Sequence, residues 1–260
     1  LHTLFNLFNT MILIWFVPVI VKTVEKMIKG KATKEEESVK LKFIDAGPLS
    51  TAELAIGQAR NEVIHFAEIS RRNIDHIRQA IAAGNSTDFE AARQRLVKYE
   101  EISDRIEYEI AQFLNALPDD SISEQTRTET KRMYKIIGEL ESLGDSGESI
   151  SRILARRNSH EKSFTQEQKA KIETMLCAVD KAYGIMIDNL RANEFEPIGL
   201  RMATDCEVEI NELRNNIREE EIRKIELDGA NYQSSVYYLD TVSEIERMGD
   251  FIINISQALE

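Results

Sequence analysis

Acidic side chains in four segments of the sequence have the type and the spacing to bind a hard cation. Each segment carries two carboxylates four residues apart: Glu100/Asp104, Glu141/Asp145, Asp205/Glu209 and Glu246/Asp250. Residues i and i+4 of an α-helix lie on one face, one turn apart. Two neighbouring helices with such pairs offer four oxygen donors, which suit iron, manganese, magnesium or calcium better than zinc.

A simpler interpretation is that these carboxylates are solvated surface groups, because 45 acidic residues in a chain of 260 produce many such pairs by chance. Like charges one turn apart repel. The pairs at 141/145 and 246/250 also enclose Gly144 and Gly249, and a glycine inside a helix costs about 1 kcal/mol relative to alanine. Because both costs recur at matching positions, a metal role for these two pairs stands as an equal alternative to the solvated surface.

An internal repeat relates the acidic segments. The stretch ELESLGD at 139–145 lies 105 residues before EIERMGD at 244–250, and EEISDRIE at 100–107 lies 105 residues before DCEVEINE at 205–212. Two motifs that share one offset predict a duplicated structural unit.

Long helices must position these groups, because the chain has only 4 prolines and 11 glycines and is rich in helix-forming residues. One apolar stripe, spaced by three and four residues, comprises Ala59, Val63, Phe66, Ser70, Ile74, Ile77 and Ile81. Helices are predicted from about 50 to 83, 86 to 117, 123 to 157, 164 to 193, 197 to 227 and 231 to 260. The predicted fold is all-α: two tandem three-helix bundles with six long helices, preceded by a membrane-type helix.

The N-terminal segment predicts that membrane-type helix. Residues 4–24 are predominantly apolar, and five lysines follow between positions 22 and 34, with one glutamate among them. Positive charge directly after a span marks the cytoplasmic side. A secretory signal would place its charge before the apolar core. A helix lying in the membrane interface, or docked on the rest of the protein, stays an alternative. The chain begins with Leu, which favours a piece of a longer protein whose last transmembrane helix this is.

Composition excludes other classes of function. The formal net charge of −12 argues against a nucleic-acid partner. Cys177 and Cys206 have no CxxC spacing and predict buried free thiols. His65 and His76 are predicted on helix surfaces. No nucleophile, zinc-protease or phosphate-loop motif occurs, so the chain is predicted not to be an enzyme.

At ELESLGDSGESI and EIERMGDFIINI the chain resembles the PhoU family, whose repeats carry an E-x-x-x-D motif in the third helix of each bundle. This resemblance covers about residues 50–260. The opening HTLFNLFNT, with FIDAGPLSTAELAIGQARNEV further on, resembles the bacterial sodium/phosphate cotransporter (type II-related) family, many of whose members carry a PhoU-like tail.

The resemblance implies two bundles side by side, iron or similar metal clusters on the acidic faces, and a regulatory role. The motif residues are Glu141, Asp145, Glu246 and Asp250, with partners on the second helices at Glu100, Asp104, Glu209 and Glu212. Repeat two departs from repeat one at Arg247, where repeat one has Ser142, and in its Asp205/Glu209 pair. Occupancy of a second site is therefore left open.

The implied organisation is the end of a membrane domain at 1–29, a linker at 30–49, and PhoU-like repeats at 50–158 and 164–260. It places the protein in the bacterial inner membrane, with residues 22–260 cytoplasmic and the upstream transporter domain as partner. Three functions are compatible with these expectations: a regulatory module of a sodium-dependent phosphate transporter, a metal-binding or metal-sensing module, and a structural bundle that forms homo-oligomers.

Overall fold

The computed structural model describes residues 41–44, 51–117, 123–192, 197–228 and 232–260. All of them belong to one compact unit, Leu41–Glu260. The predicted membrane segment at 4–24 and most of the predicted linker at 30–49 lie outside the described residues. No helix in the described ranges is both long enough and apolar enough to cross a membrane.

The described residues form helices and no strand, as the predicted all-α class requires. The helices are α1 Ala52–Ser70, α2 Asn73–Ala82, α3 Ser86–Asn115, α4 Glu124–Ser159, α5 Gln166–Arg191, α6 Pro197–Asp228 and α7 Tyr232–Ala258. Only Arg71 and Arg72 separate α1 from α2, so these two occupy the place of the first predicted long helix. The predicted helix at 164–193 is shorter at both ends, because its N-cap is Thr165 and its C-cap is Ala192.

Capping side chains fix where several helices begin. Thr51, Asn85, Ser123 and Thr165 each accept a hydrogen bond from the backbone N–H three residues further on. At Thr165 the Gln168 side chain completes a reciprocal capping box. Because the first N–H groups of a helix have no partner inside it, these oxygens stabilise each start by about 1 kcal/mol.

The helices pack as two bundles joined side by side, with four helices in repeat one and three in repeat two. In repeat one, α1 and α2 pack on α3 and α4, and in repeat two α5, α6 and α7 pack on one another. The two repeats meet mainly where α4 lies against α7, and also where α5 lies against α1 and α2. Every member of the predicted stripe from Ala59 to Ile81 is buried. Burial of this apolar stripe, more than helix propensity, holds the bundle together.

Polar side chains also connect the two repeats through hydrogen bonds. Arg71 Nε donates to Asp180 Oδ1 of α5 at 2.7 Å, and the buried hydroxyls of Ser70 and Tyr183 share a hydrogen bond of 3.0 Å. These contacts lie at the break between α1 and α2. The break therefore presents Arg71 to the second repeat, a feature that the uninterrupted apolar pattern did not predict.

Candidate metal centre

Three carboxylates converge where α3 packs on α4. Oxygens of Glu100, Asp104 and Asp145 all lie within 4.8 Å of one another. Asp104 and Asp145 are exposed and Glu100 is half-buried, so the group is open to solvent. Among the described residues, no other set of three histidine, cysteine or acidic side chains comes as close together.

Close helix packing brings these groups together. Gly144 lies against Ser103, and a β-carbon on Gly144 would stand 2.7 Å from Ser103 Oγ. Glycine is required here because α3 approaches α4 too closely for any side chain. The contact sets the two helices side by side, with Glu100 three residues before Ser103 and Asp104 directly after it on α3, and Asp145 next to the glycine on α4.

The electrostatics of this face are strongly one-sided. The pKa of Glu100 and the pKa of Asp145 are raised, first by burial and then by the neighbouring carboxylates, with Asp104 acting on both. Burial also raises the pKa of Glu141, and Asp145, Asp104 and Glu107 raise it further. Repulsion among carboxylates that share a surface favours their protonated forms, and a bound cation would remove that repulsion.

Few cations of the protein itself neutralise the face. Arg152 forms an ion pair with Glu148, one turn after Asp145, and lowers the pKa of Asp145 as a lesser effect than burial and carboxylate repulsion. Of the described residues, no lysine, arginine or histidine forms an ion pair with Glu100, Asp104 or Asp145. The exposed oxygens of this trio fit a hard cation such as iron, manganese, magnesium or calcium.

The corresponding face of repeat two lies between α6 and α7 and is built differently. Asp250 has a raised pKa, caused by burial and by its neighbours Glu246 and Glu207, while Arg214 and Arg247 lower it. Glu246 is only 15% exposed and pairs with Arg214, whose Nη2 lies 2.7 Å from Glu246 Oε1. This face therefore contains an arginine in contact with one of its carboxylates.

One of the predicted partners on α6, Glu209, contacts a different helix. Glu209 pairs with Lys181 of α5 at 2.8 Å, and Asp205 and Glu212 are exposed. The structure brings together Glu100, Asp104, Glu141 and Asp145 in repeat one and Glu246 with Asp250 in repeat two. The residues that the sequence reasoning missed on the two faces are Glu107, Glu148, Glu207, Asn211 and Arg214.

Two further expectations require correction. His65 and His76 were predicted on helix surfaces but are buried, with 4% and 5% of their surface exposed, and the His76 ring packs edge-on against Tyr99. Both cysteines are free, but only Cys206 is buried, whereas Cys177 is exposed beside Glu173.

A cavity of about 350 Å³ lies away from the acidic faces. Its lining includes Arg60, Asn189, Ile198 and Met202. The Arg60 guanidinium donates to the carbonyl oxygens of Leu190 and Ala192 at the end of α5. Because its charged group already caps a helix, the cavity has no free cation at Arg60, and the acidic trio remains the better candidate for a site.

The fold has a counterpart among solved structures. The chain is similar to the crystal structure of PhoU from Pseudomonas aeruginosa, with a TM-score of 0.70 over 80% of this chain and 96% of that one, at 12% sequence identity. No protein-family model and no curated protein sequence matches the chain. The similarity shows a PhoU-like helical fold, which agrees with the resemblance seen in the third-helix motifs.

Proposed function

We propose that this chain is a regulatory module of phosphate homeostasis, attached to a sodium-dependent phosphate transporter, which binds a metal ion on the acidic face of repeat one. The observation that carries the proposal is the convergence of Glu100, Asp104 and Asp145 on one face of a PhoU-like bundle. The apolar segment at 4–24, followed by lysines, supports attachment to a membrane domain at the cytoplasmic side of the bacterial inner membrane. The module acts by binding rather than by catalysis.

In this proposal, Glu100 and Asp104 of α3 and Asp145 of α4 hold the cation, with Glu141 next to them. A bound divalent or trivalent ion supplies positive charge that offsets the repulsion among these carboxylates. The residues themselves link two helices, so occupancy of the site couples to the packing of α3 on α4. Removal of the ion restores the repulsion across this interface, which gives the bundle a means to respond to its surroundings.

Metal content of the purified chain tests the site directly. We expect protein equilibrated with Fe²⁺ without oxygen, or with Mn²⁺, to retain metal that the E100Q/D104N/D145N variant loses. The matched control is E212Q/E219Q/E226Q, which removes three exposed carboxylates of α6. Equal metal content in all three proteins, with each folded by circular dichroism, contradicts the site.

Phosphate uptake by cells that carry the full-length transporter tests the regulatory role. Deletion of residues 50–260 should change the uptake rate or its dependence on external phosphate, and the E100Q/D104N/D145N variant should reproduce that change. Unchanged uptake and unchanged regulation in the deletion strain contradict a regulatory module.

A metal-sensing or metal-binding module without control of transport is the second candidate, and the same carboxylate trio supports it. Bound metal and phosphate uptake, measured together, distinguish these two candidates. Metal bound by the trio together with unchanged phosphate uptake after deletion favours the metal module, whereas altered uptake favours the transporter module. A structural bundle predicts neither bound metal nor altered regulation, and predicts loss of a homo-oligomer after deletion.

A further inference from the structure

The number of residues that separates matching positions of the two repeats is larger for α3 and α6 than for α4 and α7. Gly144 of α4 lies against Ser103 of α3, and Gly249 of α7 lies against Ile210 of α6, whose Cδ1 would stand 3.1 Å from an added β-carbon. The glycines are 105 residues apart, but Ser103 and Ile210 are 107 apart. Buried positions on the two helices support the second value: Leu96/Ala203, Tyr99/Cys206, Ser103/Ile210, Ile110/Ile217 and Leu114/Glu221.

Electrostatic neighbours support the same register independently. Asp145 raises the pKa of Glu100 in repeat one, and Glu207, 107 residues after Glu100, raises the pKa of Asp250 in repeat two. Glu107 acts on Glu141, and Arg214, again 107 residues later, pairs with Glu246. Steric contact and charge therefore give one consistent superposition of α3 on α6.

This superposition shows which groups have changed. Asp104 corresponds to Asn211, whose Nδ2 donates to Glu207 Oε1 at 2.6 Å. Glu107 corresponds to Arg214, which pairs with Glu246 at 2.7 Å. Repeat one thus presents five carboxylates at these positions, and repeat two presents three carboxylates, one amide and one guanidinium. In the second face the donors of Asn211 and Arg214 already occupy carboxylate oxygens.

We infer that Arg214 takes the place of a metal ion in repeat two, so that the chain has one metal-binding face and one face closed by its own guanidinium. The inference rests on the proposed metal site of repeat one and adds a residue that determines where metal binds. The Arg214 guanidinium, 28% exposed, is held by a hydrogen-bonded ion pair with Glu246, which is 15% exposed. Its positive charge offsets the carboxylates of this face without a bound ion. Repeat two then keeps its packing whether or not metal is present, and only repeat one responds to it.

Restoring the acidic residues should open the second face. The N211D/R214E variant gives repeat two the residue types of Asp104 and Glu107. We expect the full chain to bind Mn²⁺ at repeat one only, and the variant to gain a further, separately titratable Mn²⁺ site, measured by equilibrium dialysis with elemental analysis. The control N215D/R218E makes the same charge change at exposed positions one turn further along α6 and should gain none.

The outcomes distinguish this inference from the proposed function. Binding by the full chain that E100Q/D104N/D145N abolishes, with no gain in N211D/R214E, overturns the inference and leaves the proposed site intact. Binding by N211D/R214E alone supports the role of Arg214 and overturns the proposed site of repeat one. Binding by neither protein overturns both. Metal that the full chain loses on E246Q/D250N substitution overturns the inference, because repeat two would then already hold an ion.

A thermodynamic cycle covers the case in which N211D/R214E does not fold. Without metal, R214M should lower the midpoint of thermal unfolding by about 2–6 °C, because it leaves Glu246 without its partner. The double variant R214M/E246Q should regain most of that loss. Equal midpoints for the full chain and R214M would overturn the counterion role of Arg214.

Discussion

Ser103 of α3 lies where a side chain on Gly144 of α4 would have to stand: an added β-carbon would meet Ser103 Oγ at 2.7 Å and Ser103 Cβ at 2.8 Å. Two helices approach this closely only through glycine. The contact is adjacent in sequence to Asp104 and Asp145, so the spacing of the helices and the spacing of the carboxylates are set at one place. Gly144 lowers the helix propensity of α4, but it allows the close packing that brings the carboxylates of the candidate site together.

The first prediction concerns this contact. G144A should lower the free energy of unfolding by about 1–3 kcal/mol, because overpacking moves α3 or distorts the Ser103 side chain. The control is G138A on the same helix, where nothing lies within 4 Å of an added β-carbon. That change should raise stability by about 0.5–1 kcal/mol through helix propensity. Urea unfolding measures both.

A compensating change separates steric overlap from any other effect of alanine. The S103G/G144A variant moves the small residue to the opposite helix and should recover stability relative to G144A. It loses the hydrogen bond from Ser103 Oγ to the Tyr99 carbonyl and gains a helical glycine, so recovery is partial. A double variant less stable than G144A would show that the close contact is not what the alanine disturbs.

Much of the fold followed from local signals in the sequence. Ser123 caps α4 where the predicted helix begins, and the apolar stripe from Ala59 to Ile81 is buried throughout. The break at Arg71 escaped prediction because helical period continues across it. At this break Arg71 contacts Asp180, which lies 109 residues away in the chain and which only the assembled repeats bring near.

The register of α6 was harder to predict than its existence. Ser103 precedes Gly144 by 41 residues, whereas Ile210 precedes Gly249 by 39, so the connection between second and third helices is shorter in repeat two. Acidic residues at 205, 207, 209 and 212 allow several alignments to repeat one. The carboxylates of α3 and α6 match at an offset of 105 residues. The apolar positions match at an offset of 107, which pairs Tyr99 with Cys206 and Ile110 with Ile217 and places Arg214 among the residues of the second acidic face.

The second prediction concerns pH. Burial and carboxylate neighbours raise the pKa of Glu100, Glu141 and Asp145 above the ordinary values of 4.5 for Glu and 3.8 for Asp. In the window from these values up to the raised pKa values, the folded state binds more protons than the unfolded state. Stability from these groups is therefore present in acid and is lost as pH rises through the raised pKa values.

Neutralising the three groups should remove this loss. Relative to E100Q/E141Q/D145N, the unaltered chain in chelator should become less stable between about pH 4 and pH 7, by a few tenths of a kcal/mol per group, since all three are partly exposed. Urea unfolding across this range gives the difference at each pH, which cancels groups common to both proteins. A chain that gains stability over the variant with rising pH would contradict the repulsive face.

The third prediction concerns Glu62, which is fully buried on α1. Its Oε2 accepts hydrogen bonds from the backbone N–H groups of Lys42 at 2.9 Å and Phe43 at 2.7 Å, and Gln58 donates to the Phe43 carbonyl. Residues 41–44 are thus fastened to α1 by a carboxylate. E62A should speed hydrogen exchange at the amides of Lys42 and Phe43 and lower the free energy of unfolding by about 2–4 kcal/mol.

Two variants isolate the cause. N61A alters the exposed neighbour on α1 and should leave exchange at Lys42 and Phe43 unchanged. E62Q keeps an acceptor oxygen without the charge and should give exchange rates between those of the unaltered chain and E62A. Rates in E62A equal to those in N61A would mean that the segment 41–44 is held by packing alone, through contacts such as Phe43 against His65.

The fourth prediction concerns Glu221, which stands on α6 at the position of Leu114 on α3. Glu221 is only 5% exposed. Its Oε1 accepts hydrogen bonds from Gln168 Nε2 of α5 at 2.9 Å and from Ser235 Oγ of α7 at 2.6 Å. One carboxylate therefore joins all three helices of repeat two.

E221A leaves two buried donors without that acceptor and should lower the free energy of unfolding by about 2–4 kcal/mol. The adjacent E220A removes an exposed carboxylate paired with Lys171, and it should lower the free energy of unfolding far less than E221A does. E221L tests whether apolar packing at this position, as in repeat one, can replace the hydrogen bonds. If the bonds matter, E221L remains less stable than the unaltered chain. Equal stability of E221L and the unaltered chain would show that packing volume, and not the bonded carboxylate, holds this end of repeat two together.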